Sequence, residues 1–269
     1  MQVLIINLAR STERLDFQMQ QCTRLGLAFQ RLAAVSTDDI SEEDYQALGF
    51  GWQRPLRKVE VACFLSHKKA WETVLELNAP ALILEDDAVL AQHMPDALAE
   101  IEQAHNPQVD LINFEVRSRK KIISKQPEVK LNAGDTALYT LYQDRTGAAG
   151  YVLYPSGAQK LLQRLAETAP AIADGFISSH YGLHCLQAEP AGIIQEDQMS
   201  AYGLVPAEQF ESVIGRSEHH KPVYASAAEK RTFKMRRLAG QWAMACRYAS
   251  VVFKAQKREI RLDQTQFKN

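Results

Sequence analysis

Leu82-Ile83-Leu84-Glu85-Asp86-Asp87 is the segment on which the fold turns. An apolar run of strand length ends abruptly in three adjacent acids. Adjacent carboxylates repel one another, and each loses solvation when partly buried. A bound divalent cation compensates both effects. Hard oxygen donors suit Mn²⁺ or Mg²⁺, which also bridge to substrate phosphates. The carboxyl end of a sheet strand is where open α/β folds bind ligands. The same acids are compatible with a solvated turn or a helix start, where carboxylates are also favoured.

Outward from this segment, strand-like and helix-like stretches alternate. VLIINL (3–8) reads as a first strand, with Ser11 as N-cap of a helix reaching about residue 25. FQRLAAV (29–35) reads as a second strand, and 36–58 as a loop holding one helical turn. Residues 59–78 read as a helix that stops before Pro80. Residues 95–105 read as helix and VDLINFE (109–115) as strand. This alternation predicts an α/β domain with a largely parallel sheet. Residues 118–142 suggest a hairpin or a loop, and 146–165 a strand, a turn at Pro155 and a helix. Residues 173–183 read as helical and 185–195 as extended, with the domain ending at 227.

Two further clusters carry chemistry. In INLARSTER (6–14), Asn7 and Leu8 close the first strand, and Arg10 and Arg14 stand one helical turn apart. Both guanidinium groups suit a phosphate or ribose beyond the strand end, or else pair with acids on a surface helix. In EVACFLSHKKAW (60–71), Glu60, Phe64, His67 and Trp71 share one helical stripe. That stripe reads either as part of a site or as packed core with a hydrogen-bonded histidine. No GxGxxG, GxxxxGK[ST] or GxSxG loop is present, which removes the main support for dinucleotide, P-loop and serine-hydrolase readings.

The 269 residues carry 31 Lys+Arg and 32 Asp+Glu, a formal charge of −1. The total hides an asymmetry. Residues 1–227 hold 20 basic and 29 acidic side chains, whereas 228–269 hold 11 and 3. Met235, Leu238, Trp242, Ala245, Ala249 and Val252 recur at steps of three and four, and Arg236, Arg247, Lys254, Arg258 and Arg261 fall mainly on another side. The pattern predicts a basic amphipathic helical tail suited to an anionic membrane surface, or docked on the acidic body. One Trp among scattered cations, without an RNA-binding motif, argues against nucleic acid. The first apolar run lacks a basic n-region, and no run reaches about 18 apolar residues. The expectation is a cytoplasmic protein, peripheral on the inner face of the cytoplasmic membrane. Four Cys without a CxxC pair read as reduced, mostly buried thiols.

INLARSTER, AAV (33–35), VEVACFLSHKKAW (59–71), ILEDDAV (83–89), TGAAGYVLYPSGAQKLL (146–162), Asp174 and PAGIIQEDQMS (190–200) occur in an order that resembles glycosyltransferase family 25. Ser36 and Ala62 stand where that pattern commonly has glycine. The resemblance implies a GT-A-like nucleotide-binding sheet flanked by helices. It also implies an inverting transferase that moves a sugar, galactose first and glucose next, from a UDP-sugar to a lipooligosaccharide acceptor. On it, Asp87 and Glu85 would contact Mn²⁺ or Mg²⁺, and Asp86 the ribose or sugar. Asn7, Leu8, Arg10, Arg14 and His67 would meet the donor. Asp174 would be the general base, with Glu196 and Asp197 as alternatives, and His180, His184, His219 and His220 are candidates for a further metal ligand. The competing reading is a non-catalytic nucleotide-sugar or glycan-binding module on the same fold.

Overall fold

The computed structural model describes residues 1–104, 106, 108–144, 147–206 and 224–267. β1 (Gln2–Asn7) leads through α1 (Thr12–Arg24) to β2 (Phe29–Ala33). A short α2 (Glu42–Leu48) and the long α3 (Lys58–Leu77) precede β3 (Ala81–Glu85). α3 ends at Asn78, which takes the left-handed conformation typical of a helix C-terminus, two residues before Pro80. Asp86 and Asp87 form a turn into β4 (Ala88–Leu90), so the apolar strand ends at its acids. α4 (Met94–Ala104), β5 (Leu111–Asn113) and β6 (Glu115–Val116) follow. Next come β7 (Lys121–Ser124), β8 (Val129–Lys130), β9 (Ala137–Gln143) and β10 (Gly150–Leu153). α5 (Pro155–Glu167), α6 (Ala173–Ser178), β11 (Cys185–Glu189) and β12 (Ile193–Gln195) complete the region before the tail. α7 (Ala227–Val251) and β13 (Ala255–Arg258) form the C-terminal part.

The main sheet runs β13-β7-β9-β11-β5-β10-β3-β1-β2, with β8 beside β9. It is mixed rather than largely parallel. β1 is parallel to β2 and β3, and β5 to β11. β10 is antiparallel to both β3 and β5, and β7, β8 and β13 all pair antiparallel. The physical reason lies in the connections. Parallel neighbours need a long crossover, and the helices of the first half supply it. Among the described residues no α-helix lies between Ala104 and Pro155, so that stretch returns through hairpins. Because β10 opposes β3 and β5 alike, β1, β2, β3, β5 and β11 all point one way and end on one edge.

The central strands β1, β3, β5 and β10 are buried on both faces, which explains the unbroken apolar runs. Val3, Ile5, Leu82 and Leu84 face one core with α4 and the small second sheet β4-β12-β6. Leu4, Ile6, Ala81 and Ile83 face the other, against Phe64 and Trp71 of α3, Leu161 of α5 and Phe176 of α6. Phe176 lies 5.0 Å from Phe64 and 5.8 Å from Trp71 between ring centroids. Each such contact contributes about 0.5–1.5 kcal/mol beyond simple burial. Together they tie α6 to α3 and fix the start of α6.

The tail departs from the helical reading after Val251. β13 pairs with β7, Ala191 bridges to Leu262, and Ile260 is buried. Arg258 and Arg261 pair with the buried Glu189, so their charges serve internal contacts and not a helix face. Lys254 likewise lies beyond the helix. The segment around the expected boundary, including His219 and His220, lies outside the described residues.

Candidate active site

The site is built at the edge where the parallel strands end. Asn7 terminates β1 and Glu85 terminates β3, its parallel neighbour. The acids that follow do not all point together. The Asp86 carboxylate accepts from Asn7 Nδ2 (2.8 Å) on one oxygen and from Arg14 (2.9 Å) on the other. Glu85, at the end of β3, and Asp87, in the turn after it, come together at one amide, and Asp87 also lies 4.0 Å from Arg14. Both accept from the Gln195 amide, at 3.2 and 3.3 Å. Gln195 arrives there because β12 pairs with β4, with Gln195 opposite Ala88.

The three clustered carboxylates repel one another, and Arg14, Asn7 and Gln195 offset part of that repulsion. Burial, then the charges of Glu85 and Asp86, push the Asp87 carboxyl up to about 7. Burial also raises Asp86, although Arg14 and Asn7 oppose it. The Oε1 atom of Gln195 is buried and has no hydrogen-bond partner. Two convergent carboxylates beside an orphaned amide oxygen form a hard-oxygen donor set that fits Mn²⁺ or Mg²⁺. Cys63 and His67 also lie with Glu85 within 4.8 Å of one another. Burial drives the Cys63 thiol well upward, however, so it is a poor thiolate ligand.

His67 stands beneath Glu85 with no exposed side-chain surface. One ring nitrogen lies 3.2 Å from Glu85 Oε1 and the other 3.0 Å from the Tyr151 hydroxyl. Trp71 donates to that hydroxyl at 2.9 Å. A carboxylate only accepts, so Nε2 donates to Glu85 while Nδ1 bonds the Tyr151 hydroxyl. The Glu60-Phe64-His67-Trp71 stripe is therefore divided. Phe64 and Trp71 are core, and His67 orients Glu85. Glu60 is held by Arg54 and Arg57 at the start of α3; burial raises its carboxyl, but these partners outweigh it and the net shift is downward.

Leu8, Arg10, Arg14, His67, Glu85, Asp86 and Asp87 all line one cavity at the strand ends. Arg10 lies in the turn before α1, not one helical turn below Arg14, and donates to the Ser36 hydroxyl at 3.3 Å. Ser11 holds the N-cap position but makes no side-chain capping bond. Asn7 sits behind this cavity, buried and bonded to Asp86, Ser11 and Arg31.

A second cavity adjoins the first across Cys63 and Glu85. Asp174, Arg117, Gly147 and Gln195 line it. Asp174 is the second residue of α6, after the N-cap Ile172, and accepts from the Gly175 amide at 2.7 Å. Burial, only partly offset by that bond, raises its carboxyl to about 6. Gly147 has φ +113°, a backbone that favours glycine, and packs against Asn113 and Glu115. Glu115 is fully buried and pushed up to about 8 by burial, despite the nearby Lys121.

Several expected residues lie elsewhere. Asp197 is half-exposed and 3.6 Å from Arg117, and neither it nor Glu196 lines the second cavity. His184 bonds Gln108 and Glu128 away from the acids, and His180 lines neither cavity. Gln195, Tyr151 and Arg117 were not singled out from the sequence. Gln195 sits in the quoted PAGIIQEDQMS stretch, where the adjacent acids drew attention, and Arg117 in a basic run that reads as loop.

The sequence matches the family described as "Glycosyltransferase family 25 (LPS biosynthesis protein)" over residues 1–177. It is 28% identical to the lacto-N-neotetraose biosynthesis glycosyltransferase LgtE of Neisseria gonorrhoeae over 177 residues, covering 63% of this chain and 62% of that protein. It is 26% identical to procollagen galactosyltransferase 1 of Danio rerio over 219 residues, covering 76% of this chain and 35% of that protein. The chain thus spans less than two thirds of these relatives' length. A solved glycosyltransferase involved in glycosylation of the major capsid of PBCV-1 aligns with a TM-score of 0.40 and 9% identity, covering 72% of this chain and 91% of that one.

Proposed function

The chain belongs to glycosyltransferase family 25, and from that premise we propose that it is an inverting, metal-dependent transferase. It moves a sugar, galactose first, from a UDP-sugar to a lipid-linked oligosaccharide of the lipooligosaccharide type. The observation that carries this reading is the meeting of Asp174 with Glu85 in one cavity, next to the strand-end cavity that holds Arg10 and Asp87.

Glu85 and Asp87 would hold Mn²⁺ or Mg²⁺, with Gln195 beside them. Bound there, the ion neutralises charge that develops on the UDP leaving group. Arg10 adds a cation at the same cavity, and Leu8 closes its floor. Asn7 and Arg14 lock Asp86, and His67 orients Glu85, so the donor meets a pre-set acidic turn. Asp174 takes the proton of the acceptor hydroxyl as that oxygen attacks the sugar carbon opposite UDP. A carboxyl near 6 is ionised at neutral pH yet more basic than an exposed aspartate, which suits a general base.

The proposed acceptor is lipid-linked, and an anionic inner-membrane surface is the proposed partner of α7. Among the described residues no helix is long and apolar enough to cross a membrane. Met235, Leu238 and Trp242 are 65%, 47% and 73% exposed, on the side of α7 away from its buried Phe233 and Val251. Arg231 and Lys234 flank them, which matches anionic lipid. The test is a titration with UDP and Mn²⁺, followed by a screen of UDP-sugars for slow hydrolysis. Metal-dependent UDP binding with hydrolysis of one donor is expected. Absence of nucleotide binding refutes the reading.

A further inference from the structure

Beyond the reaction cavity, the wall continues. Gly147 and Asp174 also line a narrow pocket whose far side is Gln143 and Asp144. Those two residues in turn form part of a larger cavity of about 740 Å³ beneath α7. The turn from β6 to β7 makes a second link. Arg117 lines the reaction cavity, and Arg119 and Lys120 line the large one. Three residues of chain span at most about 10 Å between Cα atoms, so the two cavities flank one turn.

Charge sets the character of the large cavity. Arg119 and Lys120 enter from the turn, and Lys257 from β13. All three are exposed, and none has an ion-pair partner among the described residues. Among the described residues the one acid in the wall is Asp144, 2.7 Å from the buried Lys121, which takes up its charge. Met244 and Tyr248 of α7 supply an apolar and an aromatic surface opposite. Cations that have no ion pair among the described residues, around a space large enough for several sugar rings, suit a saccharide that bears an anionic group. An Arg fork with two ammonium groups matches the charge and oxygen count of a phosphate monoester better than a single carboxylate.

We propose that this cavity is an acceptor subsite for a phosphorylated sugar, next to the cavity in which Asp174 would deprotonate the acceptor hydroxyl. The proposal rests on the transferase reading above, and the edge strand β13 is what brings Lys257 into it.

The experiment is a binding titration with a hexose 6-phosphate, the free hexose and a hexuronic acid. Each is run in saturating UDP and Mn²⁺, so that phosphate does not occupy the donor site, and at low salt. Wild-type protein should bind the hexose phosphate roughly ten-fold or more tighter than the hexose, with the advantage shrinking at high salt. The Arg119→Ser/Lys120→Ser/Lys257→Ser variant should lose that preference while keeping its melting temperature and UDP affinity. Lys257→Gln alone should lose part of it. Equal affinity for hexose and hexose phosphate in the wild type, or an undiminished preference in the triple variant, overturns the proposal. Hexuronate binding as tight as hexose phosphate overturns the phosphate assignment. Loss of UDP binding in the wild type strikes the transferase reading instead, and the two failures are read in separate titrations.

Discussion

Asp87→Asn should make the metal-free protein more stable while abolishing its metal-dependent binding of UDP. The Asp87 carboxyl is raised from 3.8 to about 7 by burial and by Glu85 and Asp86. A raised acid favours the protonated folded form. The penalty is therefore absent below pH 4, grows as pH rises, and is complete above 7. Three pK units correspond to about 4 kcal/mol. The side chain is 19% exposed, and water screens part of the repulsion, which leaves about 1–3 kcal/mol. For a chain of this size that is a rise in melting temperature of about 2–6 °C. Asparagine keeps the oxygen that accepts from Gln195 and removes the charge. The assay is a thermal melt of wild type and variant at pH 4.5 and pH 8, each with EDTA and with Mn²⁺. The variant should melt higher at pH 8 in EDTA and nearly alike at pH 4.5. Mn²⁺ should raise the wild type alone. A gain of equal size at both pH values would refute the electrostatic argument, and Mn²⁺ stabilisation of the variant would refute the role given to Asp87.

Asp174→Asn should lower turnover by about 10²–10⁴-fold with UDP affinity retained; near-wild-type turnover removes Asp174 as the base. Because that carboxyl sits near 6 and is needed ionised, kcat/KM should fall below pH 6, and a profile flat down to pH 5 contradicts the assignment. Arg14→Ala should cost about 3 kcal/mol in urea unfolding, since it strips one of two partners from the largely buried Asp86; a change under about 0.5 kcal/mol shows the pair to be dispensable. Met235→Ser/Leu238→Ser/Trp242→Ser should weaken binding to anionic liposomes and leave donor hydrolysis unchanged. This surface variant is the proper test of the tail, because deleting residues 228–269 also tears β13 from the sheet, and equal liposome binding would show that α7 does not face a membrane.

The local elements were legible in the sequence wherever one physical signal dominates. The apolar runs 3–6 and 81–84 are strands buried on both faces, and α3 starts and stops within a residue or two of its pattern. The acid triplet at a strand end also announced the site, because carboxylates in that position need either solvent or a cation. What the linear chain withheld was direction and company. Strand direction in the middle of the sheet depends on whether a helix or a hairpin makes the return, and RSRKK and the residues after it carry no clear sign of either. The basic tail read as one helical wheel, yet Arg258 and Arg261 answer a buried Glu189 some 70 positions earlier, which no local periodicity reveals.

At the site, sequence supplied the chemistry of the groups and tertiary structure assigned their partners. Glu85, Asp86 and Asp87 are identical in kind and adjacent in the chain. The turn after β3 and the pairing of β12 with β4 send Asp86 to Asn7 and Arg14 and bring the other two to Gln195. His67 became a support for Glu85 because Tyr151, 84 residues away, fills its other nitrogen. Asp174 reached the acids because Phe176 is stacked into α3. A side chain's proton affinity and charge are set by what surrounds it, and those surroundings are assembled from residues distant in sequence. The chain alone therefore determined that an acidic cluster stands at a strand end, and only the packed fold decided which partners each of its carboxylates meets.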